Sequence, residues 1–183
     1  MRYRWGSLVA AIAIGGLASS GAARAAETVD MASFRTAVLE KHNAYRARHH
    51  APSLEYDSRL ESGALGWARR LAASGKFEHS GGNDGENLHF FFSSEAISAE
   101  ELAEQAVSHW YNEIKKYNYK RPGFSGATGH FTQVVWKSST SLGCGAAKSK
   151  DQSYFIVCRY GPAGNVLGQF PENVVRPSGG GHR

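Results

Sequence analysis

Apolar positions recur every three or four residues through the first half of the chain and gather into short continuous runs in the second. Phe34, Val38, His42 and Tyr45 stand at nearly helical spacing and predict a first helix, with Ser33 as its cap and Pro52 closing the region. Asp57 predicts the start of a second helix, with Leu60, Ala64, Trp67 and Leu71 on one face and Gly75 as the stop. Residues 76–97 read as loop, rich in Gly, Ser and Asn, with one apolar piece, Leu88-His89-Phe90-Phe91-Phe92. Ser98 and Glu101 have the spacing of a capping box, and Ala103, Val107, Trp110, Ile114 and Tyr117 trace the apolar stripe of a third helix. An aromatic loop follows over 117–129. The β-branched and aromatic run Phe131 to Trp136 then predicts a strand, and two cysteine-bearing strands come next. Helices first and a short antiparallel sheet later predict an α+β layered domain, not alternating βαβ units.

The first 25 residues stand outside this pattern. Arg2 and Arg4 precede the apolar run Leu8 to Ile14, and Ala23-Arg24-Ala25 supplies the small-x-small signal of a leader cleaved near Ala25 or Ala26. The run falls short of the roughly 20 apolar residues that cross a bilayer, so the segment reads as a signal peptide and no transmembrane segment is expected. The predicted localisation is secreted, or periplasmic in a Gram-negative bacterium. The glycine-rich tail, 176–183, reads as disordered by composition.

With 183 residues the chain accommodates one domain with a full core, and 42% hydrophobic and 20% charged residues are globular proportions. The formal charge of +5 is misleading, because Arg2, Arg4 and Arg24 leave with the leader. What remains is 18 basic against 16 acidic residues, a net of +2. With no basic cluster interleaved with aromatics either, no nucleic-acid partner is expected. The two cysteines, Cys144 and Cys158, flank a short polar turn, Lys148 to Asp151, between strand-like stretches. An even count in an exported chain predicts a disulfide, with a pair of free core thiols as the alternative.

Four side chains are candidates for chemistry: His79, Glu86, Glu113 and His130. His79 and Glu86 lie in a Gly-rich stretch, Glu113 borders the third helix's apolar stripe, and His130 directly follows Gly129. Two imidazoles with carboxylates suit a divalent ion, zinc first, or a base with an orienting carboxylate. Spacing alone does not join them, for no HExxH or CxxC is present. His42, Asn43 and Arg46 read as buried polar residues satisfied by backbone groups. His49, His50, His89, His109 and His182 read as surface or interface residues. Ser80, beside His79, is a nucleophile candidate by adjacency only.

Four segments make the chain recognisable: Gly129-His130-Phe131-Thr132-Gln133-Val134-Val135-Trp136, Phe155 through Val166, His42-Asn43-Ala44-Tyr45-Arg46, and Gly85-Glu86-Asn87-Leu88. In their order along the chain they resemble the CAP superfamily: the cysteine-rich secretory proteins, antigen-5 and the pathogenesis-related 1 proteins. The resemblance covers 34–175. Within it, Trp110 to Tyr119 followed by Arg121-Pro122-Gly123-Phe124 is most similar to the Golgi-associated plant pathogenesis-related group. That group's myristoylation signal is not carried over, because Arg2 follows Met1.

The resemblance implies a three-layer α-β-α sandwich with a central antiparallel sheet. It implies that His79, Glu86, Glu113 and His130 converge in one divalent-metal-competent cleft. The function it implies is an exported binding module for a small lipid or sterol-like ligand, acting as a monomer or homodimer in defence or host interaction. Phe90, Phe91 and Phe92 are the candidate ligand loop, with ordinary core packing as the alternative. A metal-dependent hydrolase, peptidase or esterase, using the same four residues is the competing function. Plant relatives release a C-terminal peptide, but Arg159 stands where their cleavage context carries Asn, which argues against release here.

Overall fold

A computed structural model describes residues 29–177. The predicted leader and all but two residues of the predicted tail lie outside that range. The elements are α1 (Met31–Arg48), β1 (Glu55–Tyr56), α2 (Ser58–Ser74), β2 (Gly85–Phe92), α3 (Ala99–Asn112), a 3₁₀ turn (Glu113–Lys116), α4 (Gly129–Val134), β3 (Ser141–Lys148), β4 (Ser153–Gly161) and α5 (Phe170–Asn173).

The helix starts follow from side chains that reach unpaired N–H groups. The Asp57 carboxylate accepts from Arg59 and Leu60 at the head of α2, and Gly75 ends that helix. At α3 the Ser98 hydroxyl accepts from the Glu101 N–H while the Glu101 carboxylate accepts from the Ser98 N–H, the reciprocal pair its spacing predicts. Helix α1 starts earlier than expected. Asp30, not Ser33, is its cap, because its carboxylate accepts from both Ala32 and Ser33. The predicted stripe Phe34, Val38, His42 and Tyr45 is buried as expected.

The sheet order is β1-β3-β4-β2, antiparallel except for the two-residue β1, which runs parallel to β3. Helix α2 covers one face, where Ala64, Ala68 and Leu71 pack on Leu88, Phe155 and Val157. Helices α1, α3 and α4 cover the other, where Phe34, Val38, Val107, Trp110 and Phe131 meet Leu142, Ile156 and Tyr160. The result is the expected α+β, three-layer α-β-α sandwich. Helix α2 lies unusually close to β3, and glycines permit it. A Cβ on Gly143 would stand 2.1 Å from the Glu61 nitrogen, and one on Gly145 would stand 2.3 Å from the Leu65 Cα.

Cys144 and Cys158 face each other across β3 and β4, 4.1 Å apart at Cα, and form the expected disulfide on the α1/α3 side. Closing a loop of this length contributes roughly 3 kcal/mol in the chain-entropy picture.

Two expectations are corrected. Phe131 to Trp136 is not a strand: Gly129–Val134 is a short helix, and all six residues of the run are buried. The piece containing Phe90, Phe91 and Phe92 is not a loop, since all of Gly85–Phe92 pairs with β4 as the edge strand β2. Edge strands alternate their side chains between two faces, and that governs the site described next.

Candidate functional site

Glu86 is the second residue of β2 and sits opposite Arg159 of β4. Its carboxylate is almost completely engaged. The Ser80 N–H and hydroxyl donate to it at 2.9 and 2.6 Å, His79 Nδ1 lies 2.8 Å away, and Arg159 Nε is 3.5 Å off. Burial opposes its charge, but the bonds from Ser80 and His79 outweigh this and hold its pKa below the ordinary glutamate value. The Ser80 hydroxyl is thus bonded to a carboxylate and not to the neighbouring His79 imidazole.

A second pair lies across the strand. Glu113, at the junction of α3 and the 3₁₀ turn, accepts from the His130 and Phe131 N–H groups at 3.0 and 3.1 Å, and from His130 Nδ1 at 2.8 Å. It therefore caps α4 from 17 residues away in sequence.

The four predicted residues thus form two dyads, His79–Glu86 and His130–Glu113. In each, a carboxylate, which only accepts, fixes the proton on Nδ1 and leaves the Nε2 lone pair outward. Glu86 lies on the α2 face of β2, beside Arg159, whose guanidinium packs against Gly63 of α2. Asn87, the next residue, turns to the other face and donates to the His130 carbonyl at 3.1 Å and to the Tyr160 hydroxyl at 3.2 Å. The dyads are in this way joined through consecutive residues of the strand. Among the described residues, no group of three or more His, Cys, Asp or Glu side chains is placed to hold a metal ion.

Behind the second dyad runs a buried polar chain. His42 Nδ1 donates to the Val38 carbonyl at 2.7 Å, so its Nε2 accepts from the Tyr160 hydroxyl at 2.8 Å. Burial is the main reason its pKa falls to about 4. Below pH 6.5 an unfolded chain takes up a proton that the folded one refuses until about pH 4. Folding stability is therefore complete above pH 6.5 and falls as the pH drops toward 4, by about 3 kcal/mol for this group. Urea midpoints measured from pH 7 to pH 5 should fall, while the His42 ring signals in NMR stay those of a neutral imidazole. A His42 that titrates near 6.5 in the folded protein would contradict this placement.

Asn43 and Arg46 are structural, as read from sequence. Asn43 exchanges hydrogen bonds with both backbone groups of Leu54, and the fully buried Arg46 donates to four carbonyls. His49 is corrected from surface to core: it is 1% exposed, with Nδ1 bonded to the Val175 carbonyl and Nε2 to the Tyr111 hydroxyl.

The three phenylalanines of β2 divide by face. Phe91 stacks on Tyr154 at 5.2 Å, whereas Phe90 and Phe92 stand 46% and 63% exposed on the Glu86 side, on the same face as Leu88. Phe77, 53% exposed in the segment after α2, joins them with its ring 6.0 Å from that of Phe90. Phe77 carries no sequence signal, and the roles of Ser80 and Arg159 as partners of Glu86 are not readable from spacing: Ser80 is suggested only as a nucleophile, and Arg159 only as part of the segment Phe155 through Val166. Alternation along 86–92 is the signal that separates Phe91 from its neighbours.

The sequence from 39 to 160 matches the family model described as the cysteine-rich secretory protein family, CAP. The chain is 40% identical over 150 residues to the Golgi-associated plant pathogenesis-related protein 1 of Homo sapiens, covering 79% of this chain and 94% of that one. It is 39% identical over 158 residues to the secreted protein RBT4 of Candida albicans, covering 79% of this chain but 41% of that protein's length. Among solved structures, the crystal structure of NaASP2 with Zn2+ superposes with a TM-score of 0.65 at 26% identity, covering 79% of this chain and 86% of the other. Fold, motifs and relatives agree, and the chain belongs to the CAP family of cysteine-rich secretory proteins.

Proposed function

We propose that this is an exported CAP domain that binds a small amphiphile of the lipid or sterol kind against the exposed aromatic end of β2. The observation that carries the reading is the cluster of exposed rings at the end of β2, Phe90 and Phe92 with Phe77 beside Phe90, on the strand face that also holds Glu86 of the His79 dyad. From Glu86 to Phe92 the strand advances by six residue steps, about 20 Å, which separates the polar dyad from the outermost ring. Exposed aromatics grouped in this way mark an interaction surface more often than an accident of the surface. His79 Nε2 is a lone-pair acceptor beside a carboxylate, so a neutral hydroxyl head group fits it better than an anionic one. Export rests on the leader ending near Ala25 and on a relative named as a secreted protein. Among the described residues no helix is long and apolar enough to cross a membrane.

The donor chemistry of the dyads fits a divalent ion such as zinc in one way. His79 and His130 offer Nε2 atoms, while Glu86 and Glu113 serve as orienting partners with their own oxygens occupied. An ion bound there supplies Lewis acidity toward a ligand's head group. The oriented imidazoles also favour a second reading, a metal-dependent hydrolase. Turnover of ester or peptide substrates by zinc-supplemented protein, abolished in His130→Gln, would establish it.

The test of the first reading is equilibrium binding of a fluorescent sterol. Replacing both Phe90 and Phe92 with Asp alters only exposed positions, so the variant folds, and binding should weaken by more than about tenfold from lost apolar contact. Equal binding by this variant and the wild type would remove the β2 face as the ligand site.

A further inference from the structure

We infer that His89 and His109 form a site for a divalent transition-metal ion of the copper type, separate from the two dyads. His89 projects from β2 on the face opposite Glu86, and His109 lies in the last turn of α3. Their rings are 4.8 Å apart at the centroids and tilted by 40°. Among the described residues, neither ring takes part in a hydrogen bond or ion pair, unlike His42, His49, His79 and His130, whose nitrogens are bonded.

The spacing suits shared coordination. With ~2.0–2.1 Å between metal and nitrogen, an ion sits about 3.2 Å from each ring centre, and two centres at the observed spacing subtend roughly 100°. That angle lies between the square-planar and tetrahedral values. Burial, with the neighbouring His109 and His130 rings adding to it, pushes the His89 pKa down to about 4, so its lone pair is available throughout the neutral range. His109 is exposed, which leaves the remaining coordination positions to water. An imidazole pair without thiolate or carboxylate partners selects by intrinsic affinity, and Cu2+ heads that order.

Trp110 borders both this pair and the His130 dyad. Its ring lies 6.4 Å from His89 edge-on and 6.3 Å from His130. The indole therefore reports on the pair, since a bound Cu2+ ion next to it quenches its emission.

The experiment uses the mature protein carrying His79→Gln and His130→Gln, so that the dyads cannot bind, and titrates it with copper chloride. One Cu2+ should bind, with tryptophan quenching and an electron paramagnetic resonance spectrum that shows two coupled imidazole nitrogens. Adding the exposed substitution His109→Gln should remove one nitrogen coupling and weaken binding at least about tenfold, the smallest loss typical of even an outer-shell partner. The proposal is overturned if His109→Gln leaves affinity and spectrum unchanged, or if the double dyad variant binds no Cu2+ while circular dichroism shows it folded. Neither result bears on the amphiphile reading, which concerns the opposite face of β2.

Discussion

Arg46→Ala should lower the stability of the domain by about 3–5 kcal/mol, which is much of what a domain of this size has to lose. The guanidinium is fully buried, and its donors are met by backbone carbonyls, with no ion pair to a carboxylate among the described residues. Nε donates to Pro52 at 2.9 Å, Nη1 to Val134 and Trp136 at 3.1 and 2.8 Å, and Nη2 to Ser139 at 2.8 Å. One side chain of α1 thus ties down the end of α4, the turn after it and the loop before β1. Burial pulls its pKa down to about 10, and the group remains charged at neutral pH. Truncation leaves four carbonyls without donors in a dry interior, and each such loss costs about 1–3 kcal/mol. Arg46→Lys should rescue little, because a compact ammonium cannot reach carbonyls spread around a planar fork. Urea denaturation of the wild type and both variants checks this, and a loss below about 1 kcal/mol in Arg46→Ala would show the bonds to be dispensable.

The second large effect is expected at the α2–β3 contact. Gly145→Ala places a methyl 2.3 Å from the Leu65 Cα, and Gly143→Ala places one 2.1 Å from the Glu61 nitrogen. Both obstacles are helix backbone, which cannot rotate away as a side-chain tip can, so α2 must lift off the sheet. Overpacking of this kind costs about 1–3 kcal/mol, and rigid neighbours put these two sites at the upper end. The damage should reach the site as well, because the chain leaves α2 directly into Phe77 and His79. Each variant is therefore expected to lose melting temperature and amphiphile binding together. A variant with unchanged thermal stability would mean that α2 sits farther from β3 than described.

Much of this arrangement was legible in the sequence where the controlling interactions are local. The capping box at Ser98 and Glu101, the Asp57 start and the Gly75 stop involve residues within three or four positions of the groups they bond, and all three were read correctly. Asp30 was passed over for Ser33 although both have cap chemistry; the carboxylate wins by accepting two N–H groups at once. The run from Phe131 to Trp136 reads as a strand because its β-branched and aromatic residues dominate, and a short run in which even Thr132 and Gln133 are buried shows no helical period. What makes it a helix is Glu113, a cap delivered from another element and invisible in local pattern. Three consecutive phenylalanines mask the alternation of β2 in the same way, and pairing with β4 separates Phe91 from its outward neighbours. The pairing of His79 with Glu86 was suggested by proximity in sequence, whereas Ser80 and Arg159 converge on Glu86 only once β2 lies against β4.

The placement of the ligand on β2 is tested most directly by photocrosslinking. A sterol carrying a diazirine on its tail is equilibrated with the mature protein, irradiated, and the attachment sites are mapped by peptide mass spectrometry. The account predicts adducts concentrated on Phe77, Phe90 and Phe92, competed away by unlabelled sterol. Saturable adducts on the exposed faces of α1 and α3, with none on β2, would contradict it.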